Sequence, residues 1–197
     1  SGKEGVQLKK SNLKLKAVPE PAELLKLDLG AGQNVREGFK SVDAYSKADY
    51  TVDLFRFPWP FKDSSVGEIN CSHFFEHVPH LLRGKWMDEL YRIMAPGAKA
   101  TFITPYYTSI RATQDFTHEW PPVSPNSYLY FNAGWRGQNK LTHGVYDLKC
   151  DFDFTYGYSV NSEWLSRNDE ARAFAIKWYQ GVIDDLHVTL VSRKVSK

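Results

Sequence analysis

The run Leu24-Leu25-Lys26-Leu27-Asp28-Leu29 goes straight into Gly30-Ala31-Gly32. A short apolar run halted by a glycine-rich turn reads as a buried strand entering a tight turn. Gly30 and Gly32 allow backbone conformations that a Cβ would forbid, and they let a ligand approach the main chain. A second strand, Phe39 to Val42, follows and ends on Asp43. In an open parallel sheet, ligands bind beyond the carboxyl ends of the strands, where this turn sits.

The rest of the chain repeats the alternation. Tyr50 to Leu54 reads as a short strand, and Phe57-Pro58-Trp59-Pro60-Phe61 as a rigid apolar loop, since its prolines lack ladder donors. Val66 to Ser72 reads as a strand. Trp86, Leu90, Ile93 and Met94 fall at helical spacing, and Pro96-Gly97 is expected to close that helix. Ala100 to Thr104 is a further strand, stopped by Pro105. Residues 106–149 are rich in Tyr, Trp, Asn, Gly and Pro without clean periodicity, as expected of a lid or binding loop. Asp151 to Val160 reads as a strand with one aromatic face, Glu170 to Tyr179 as a helix, and Leu186 to Val191 as a closing strand. The pattern predicts an open, mostly parallel sheet with helices on both faces.

Charge and cysteine usage exclude several classes. The 197 residues carry a net charge of +2, and residues 1–16 hold five lysines against one acid, so the remainder is slightly acidic. That balance speaks against a nucleic-acid groove. We take residues 1–23 as a basic extension and residues 24–197 as the folded domain. Cys71 and Cys150 are too few for a disulfide framework, which points to a reducing, cytoplasmic setting. No apolar run approaches the roughly 18 residues that a membrane span requires.

Asp43 lies 15 residues past Asp28 and is placed to accept both hydroxyls of a ribose. A dinucleotide fingerprint would need glycine at position 35, which is Val, so a nicotinamide oxidoreductase is disfavoured. No Gly-Lys-Ser/Thr follows the turn, which excludes a P-loop. A ligand with a ribose and no phosphates fits better, and S-adenosylmethionine is such a ligand.

Asp28-Leu29-Gly30-Ala31-Gly32 resembles the first motif of class I S-adenosylmethionine-dependent methyltransferases. Asp43, Asp53-Leu54, the loop before Asp63-Ser64-Ser65, Ser72-His73-Phe74-Phe75-Glu76-His77-Val78 and Leu90 to Pro105 extend the likeness to the small type 11 enzymes. It covers about residues 24–105. Asn34 stands where the fuller motif has a third glycine, and asparagine tolerates left-handed backbone. The resemblance implies a Rossmann-like, doubly wound, mostly parallel seven-stranded sheet with an antiparallel last strand and an aromatic lid insertion. By the same resemblance, Asp28, Gly30, Ala31 and Gly32 form the cofactor turn, Gly30 and Gly32 passing under the methionine portion. Asp43 holds the ribose diol, Ala44 lies beside the adenine, Asp53 and Leu54 flank the adenine, and Ser72 or His73 meets the cofactor through backbone. The product would be S-adenosyl-L-homocysteine, and the acceptor a small molecule or saccharide.

The sulfonium of such a cofactor carries the hard chemistry, so no protein nucleophile or metal is obligatory. Glu76, His77 and His118 are the candidate bases, and His118, in the aromatic loop, is our choice for the catalytic or acceptor-contacting residue. Tyr106 and Trp120 are expected to face the acceptor. His73, Glu76, His77 and His80 also have a metal-like spacing, but no His-Glu-x-x-His order occurs, and Pro79 interrupts the helix that would align His80. A metal-free site is therefore expected. A non-catalytic binding module of the same fold is the alternative, with Asn34 its only support.

Overall fold

The computed structural model describes residues 23–44, 47–141 and 147–195. Glu23 apart, the basic extension lies outside the described residues. The strands are β1 (Leu25–Leu29), β2 (Lys40–Asp43), β3 (Tyr50–Thr51), β4 (Val66–Ser72), β5 (Met94–Pro105), β6 (Phe152–Val160) and β7 (Ile183–Ser192). They form one seven-stranded sheet in the order β3-β2-β1-β4-β5-β7-β6. Strands β1 to β5 pair in parallel, and β7 runs antiparallel to both β5 and β6.

Strand β1 sits between β2 and β4, which is where the strand order reverses. Leu27 and Leu29 are fully buried, and Asp28 is 2% exposed. A central parallel strand is covered on both faces, so a charged Asp28 survives there only if its lone pairs are used. Its Oδ1 accepts from Asn70 Nδ2 at 2.7 Å, and its Oδ2 accepts from the Arg36 backbone N–H at 2.7 Å. The ten residues that link β1 to β2 form turns without a helix.

Helix α1 (His80–Ile93) makes the crossover from β4 to β5 and buries Trp86, Met87, Leu90 and Ile93. It starts six residues before the predicted helix. Leu81, in its first turn, is 84% exposed, so no apolar stripe marks that end. Pro96-Gly97 does not close it either, which corrects the sequence expectation. The helix ends at Ile93, and both residues lie inside β5. There Met94 pairs with Val66 while Lys99 pairs with Glu68, a bulge that absorbs a proline without a ladder donor and a glycine at φ +71°. The Lys194 ammonium closes the helix end instead, donating to the carbonyls of Arg92 at 2.8 Å and Met94 at 2.7 Å.

The remaining helices are α2 (Arg111–Gln114), α3 (Ala133–Gln138) and α4 (Asp169–Trp178). The Asn168 side chain caps α4 by accepting from the Ala171 N–H at 2.8 Å. Tyr128, within a 3-10 segment (Pro125–Phe131), is fully buried with Phe75 and Phe102 5.5 Å apart beneath it. The aromatic insertion is thus docked on the core. The Phe57–Phe61 loop is tied down by buried Glu89, which accepts from the Trp59 N–H at 2.6 Å and pairs with Arg92. Among the described residues no helix is long and apolar enough to cross a membrane.

Candidate functional site

Two structures meet at the carboxyl edge where β1 and β4 diverge. The first is the glycine turn. Gly30 and Gly32 take φ of +67° and +54°, values that side chains with a Cβ rarely adopt. The Gly30 N–H donates to the Val42 carbonyl at 2.8 Å, which holds the turn against β2. The Gly32 N–H donates to Asp43 Oδ2 at 3.0 Å. A Cβ added at Gly32 would meet nothing within 4 Å, so that face of the turn is open. A Cβ at Gly30 would instead lie 2.2 Å from the Phe74 ring, which stacks on Phe55 with centroids 5.6 Å apart.

This turn suits a ligand with a sugar diol and no phosphate. The carboxylate of Asp43 stands beside the open face as an acceptor, and the Ala44 side chain next to it is half-buried. The Arg36 guanidinium reaches Asn70 Oδ1 at 3.2 Å and lies over the Phe39 ring, while Lys40 pairs with Asp49 at 3.0 Å. Both cations that follow the turn are therefore drawn away from it, where a phosphate would need them. Asp53 is exposed, accepts from the Phe55 N–H at 2.9 Å and pairs with Arg56 at 3.1 Å. Leu54 beside it is buried. Asp28 is buried and binds the Arg36 backbone N–H beyond the turn, a supporting place rather than a lining one.

The second structure is a cavity of about 290 Å³ lined by His73, Glu76, His77, Arg111, Asp115 and His118. Ser72 ends β4, and His73 follows with a left-handed φ of +53°, its N–H donating to the Ile103 carbonyl at 2.8 Å. Such strain concentrates where surrounding structure over-determines a functional residue. Glu76 and His77 lie on a one-turn 3-10 helix (Phe75–His77) anchored by Phe75, whose ring packs on Trp86 at 5.2 Å. His118 arrives from the insertion, and its ring meets His77 edge-on at 4.7 Å. Glu76, as the acceptor of the His73 ring N–H and as a negative charge beside it, pushes the His73 pKa above the usual histidine value. The Thr117 hydroxyl and N–H hold Asp115 below the ordinary carboxylate range.

Arg83 locks the two sides of this cavity together. Its guanidinium donates to the carbonyls of Val78, Pro121 and Glu119, at 3.1, 2.6 and 3.0 Å. The Glu119 N–H also donates to the Glu76 carbonyl at 2.9 Å. No motif in the sequence marks Arg83, because its partners are backbone atoms, two of them nearly forty residues away in the chain. Of the aromatics expected to face an acceptor, neither lines the cavity. Tyr106 is buried against Tyr107 and Tyr158, and burial raises its pKa. Trp120 is 74% exposed. His80, part of the metal-like spacing, turns away toward Glu119 at 3.8 Å, and His118 takes its place beside Glu76 and His77. A wider hollow of about 950 Å³ lies at the opposite, amino edge, lined by Asp63, Lys85, Arg92 and Lys194 among others. Neither the glycine turn nor the histidines of the smaller cavity line it.

No protein-family profile and no curated protein matches the chain. Solved structures do. A SAM-dependent methyltransferase from Archaeoglobus fulgidus aligns with a TM-score of 0.59 at 16% identity, covering 86% of each chain. A chain from the complex of the Haloferax volcanii Trm112 methyltransferase activator with a candidate methyltransferase aligns at 0.52 and 16%, over 90% of this chain and 86% of that one. A SAM-dependent methyltransferase of Thermotoga maritima, described as a possible histamine N-methyltransferase, aligns at 0.52 and 11%, over 89% and 84%. These likenesses, with the strand order and the antiparallel β7, establish the class I methyltransferase fold for this chain.

Proposed function

From that fold we propose that the protein is an S-adenosylmethionine-dependent methyltransferase acting on a small molecule or saccharide. One observation carries the reading. The glycine turn packs at Gly30 against Phe74, the residue after His73, so the turn that would carry the cofactor stands next to the His73–His118 cavity at the end of β4.

The bound cofactor would supply an electrophilic methyl on a sulfonium. The chain would do the positioning. Asp43 accepts hydroxyls of the ribose, Ala44 and the backbone of Asp53 and Leu54 border the adenine, and Gly30, Ala31 and Gly32 carry the amino-acid portion. Ser72 and His73 present backbone toward the reacting centre. Holding the acceptor in line with the methyl can supply up to about 7–11 kcal/mol of barrier reduction. His118, with His77 beside it, is placed to take a proton from an acceptor hydroxyl as the new bond forms.

Calorimetric titration with S-adenosylmethionine and S-adenosylhomocysteine tests this. Both should bind, and Asp43→Ala should weaken both by about tenfold or more, the loss of one charge-assisted hydrogen bond. Absence of heat for both ligands at millimolar concentration overturns the reading. Binding without transfer to any acceptor in a broad panel would leave a cofactor-binding module.

A further inference from the structure

We propose that Glu76, His77 and His118 hold a divalent transition-metal ion of the Zn²⁺ type in this cavity. One ligand atom from each lies within 4.8 Å of the others. Three atoms so spaced are at most about 2.8 Å from a common centre, against about 2.0–2.2 Å in a bound zinc site, so each needs to close by under an ångström.

Two independent observations point to an ion. Glu76 is 5% exposed, and its Oε2 accepts no hydrogen bond among the described residues, while His73 stands 3.4 Å from its Oε1. A buried carboxylate oxygen left unpaired is destabilising unless something binds it. The histidines supply the second. His77 Nδ1 faces the Thr117 carbonyl at 3.2 Å and hydroxyl at 3.1 Å, and His118 Nδ1 faces the Ala112 carbonyl at 3.4 Å. An Nδ1–H donated to a carbonyl leaves Nε2 as the lone-pair donor, which is how metal-binding imidazoles are oriented. Arg83 and the Glu119 N–H fix the two ligand-bearing segments to each other, so the set is held before any ion arrives. Two imidazoles and one carboxylate also leave a coordination position for a further ligand.

The role, though not the site, rests on the methyl-transfer reading. With the ion bound, His77 and His118 would be its ligands and no longer free to take the proton. An acceptor hydroxyl at the open position would lose its proton to water instead, since a divalent cation lowers the pKa of a bound hydroxyl. The acceptor oxygen would then bond to the methyl carbon of a bound cofactor, the carbon–sulfur bond breaking with its electron pair going to sulfur.

The test uses the chelator-treated full chain. Titration with Co²⁺, followed by visible absorption, and with Zn²⁺, followed by calorimetry, should give one ion per chain. Glu76→Gln, His77→Ala and His118→Ala should each weaken binding by about 100-fold or more, and Thr117→Val by about tenfold. His187→Ala, on β7, should bind as the parent does. Zn²⁺ should raise the melting temperature of the parent and of His187→Ala but not of folded His118→Ala. No spectral change and no heat with the parent overturns the proposal, as does binding indifferent to all three ligand substitutions. Metal binding by a protein that shows no heat with S-adenosylmethionine supports the site and removes only its part in methyl transfer.

Discussion

Gly30→Ala tests whether the glycine turn and the end of β4 are one packed unit. The new Cβ would lie 2.2 and 2.4 Å from Phe74 Cδ2 and Cγ, and 2.7 Å from Phe74 Cβ. The ring can rotate away, at the loss of its stack on Phe55, about 0.5–1.5 kcal/mol. The Phe74 Cβ cannot move without its backbone, and overpacking of that kind costs about 1–3 kcal/mol. An alanine at φ +67° adds about 1–2 kcal/mol. Together these predict a loss of about 2.5–6.5 kcal/mol, visible as a lower urea midpoint with an unchanged m-value. In a Phe74→Ala background the ring contacts are gone, and the same substitution should cost about 0.5–1.5 kcal/mol less. Equal losses in both backgrounds would refute the contact between the turn and Phe74.

Two further substitutions follow from the framework around the site. Asp49 accepts from the Ser41 N–H and hydroxyl, each at 2.9 Å, and these bonds with Lys40 hold its pKa at about 2. A depressed carboxylate stabilises fully above its unfolded value near 3.8, and that contribution fades as pH falls through about 2. Urea melts of the parent and Asp49→Asn should therefore differ at pH 7 and converge as pH drops from about 4 to 2. Glu89→Gln strips one lone-pair set from the carboxylate that binds Arg92 and the Trp59 N–H. With Arg92 partly exposed, a loss of about 2–3 kcal/mol is expected by denaturant melts, and an unchanged midpoint would contradict it.

The sheet was legible because apolar runs and their stop residues obey local rules. Val66–Ser72 matches its strand residue for residue, and β1 is shorter than expected by Leu24 alone. What failed locally was decided by partners far along the chain. Pro96-Gly97 punctuates a bulge rather than a helix end, since Lys194 supplies the closing group and β4 sets the register. Gly30, Gly32 and Asp43 were picked out from spacing, and one hydrogen bond across eleven residues joins the last two. The histidine cavity was only half visible. Glu76, His77 and His118 were each named from the sequence, but their meeting was not, because His118 lies about forty positions on and reaches Glu76 through a fold that no periodicity encodes. His80, nearer in sequence, is carried off by the start of α1 after Pro79.

The Lys194 ammonium that seals the α1 carboxyl end has its own consequence, in the order of assembly. Its acceptors, Arg92 and Met94, are 102 and 100 positions upstream, so during synthesis the last turn of that helix must wait, open to water, until β7 has been made and laid down. Closure over such a sequence separation is slow. Nascent chains arrested before residue 194 should therefore keep the Arg92 corner, and the Phe57–Phe61 loop it grips, open to proteases that the finished protein resists.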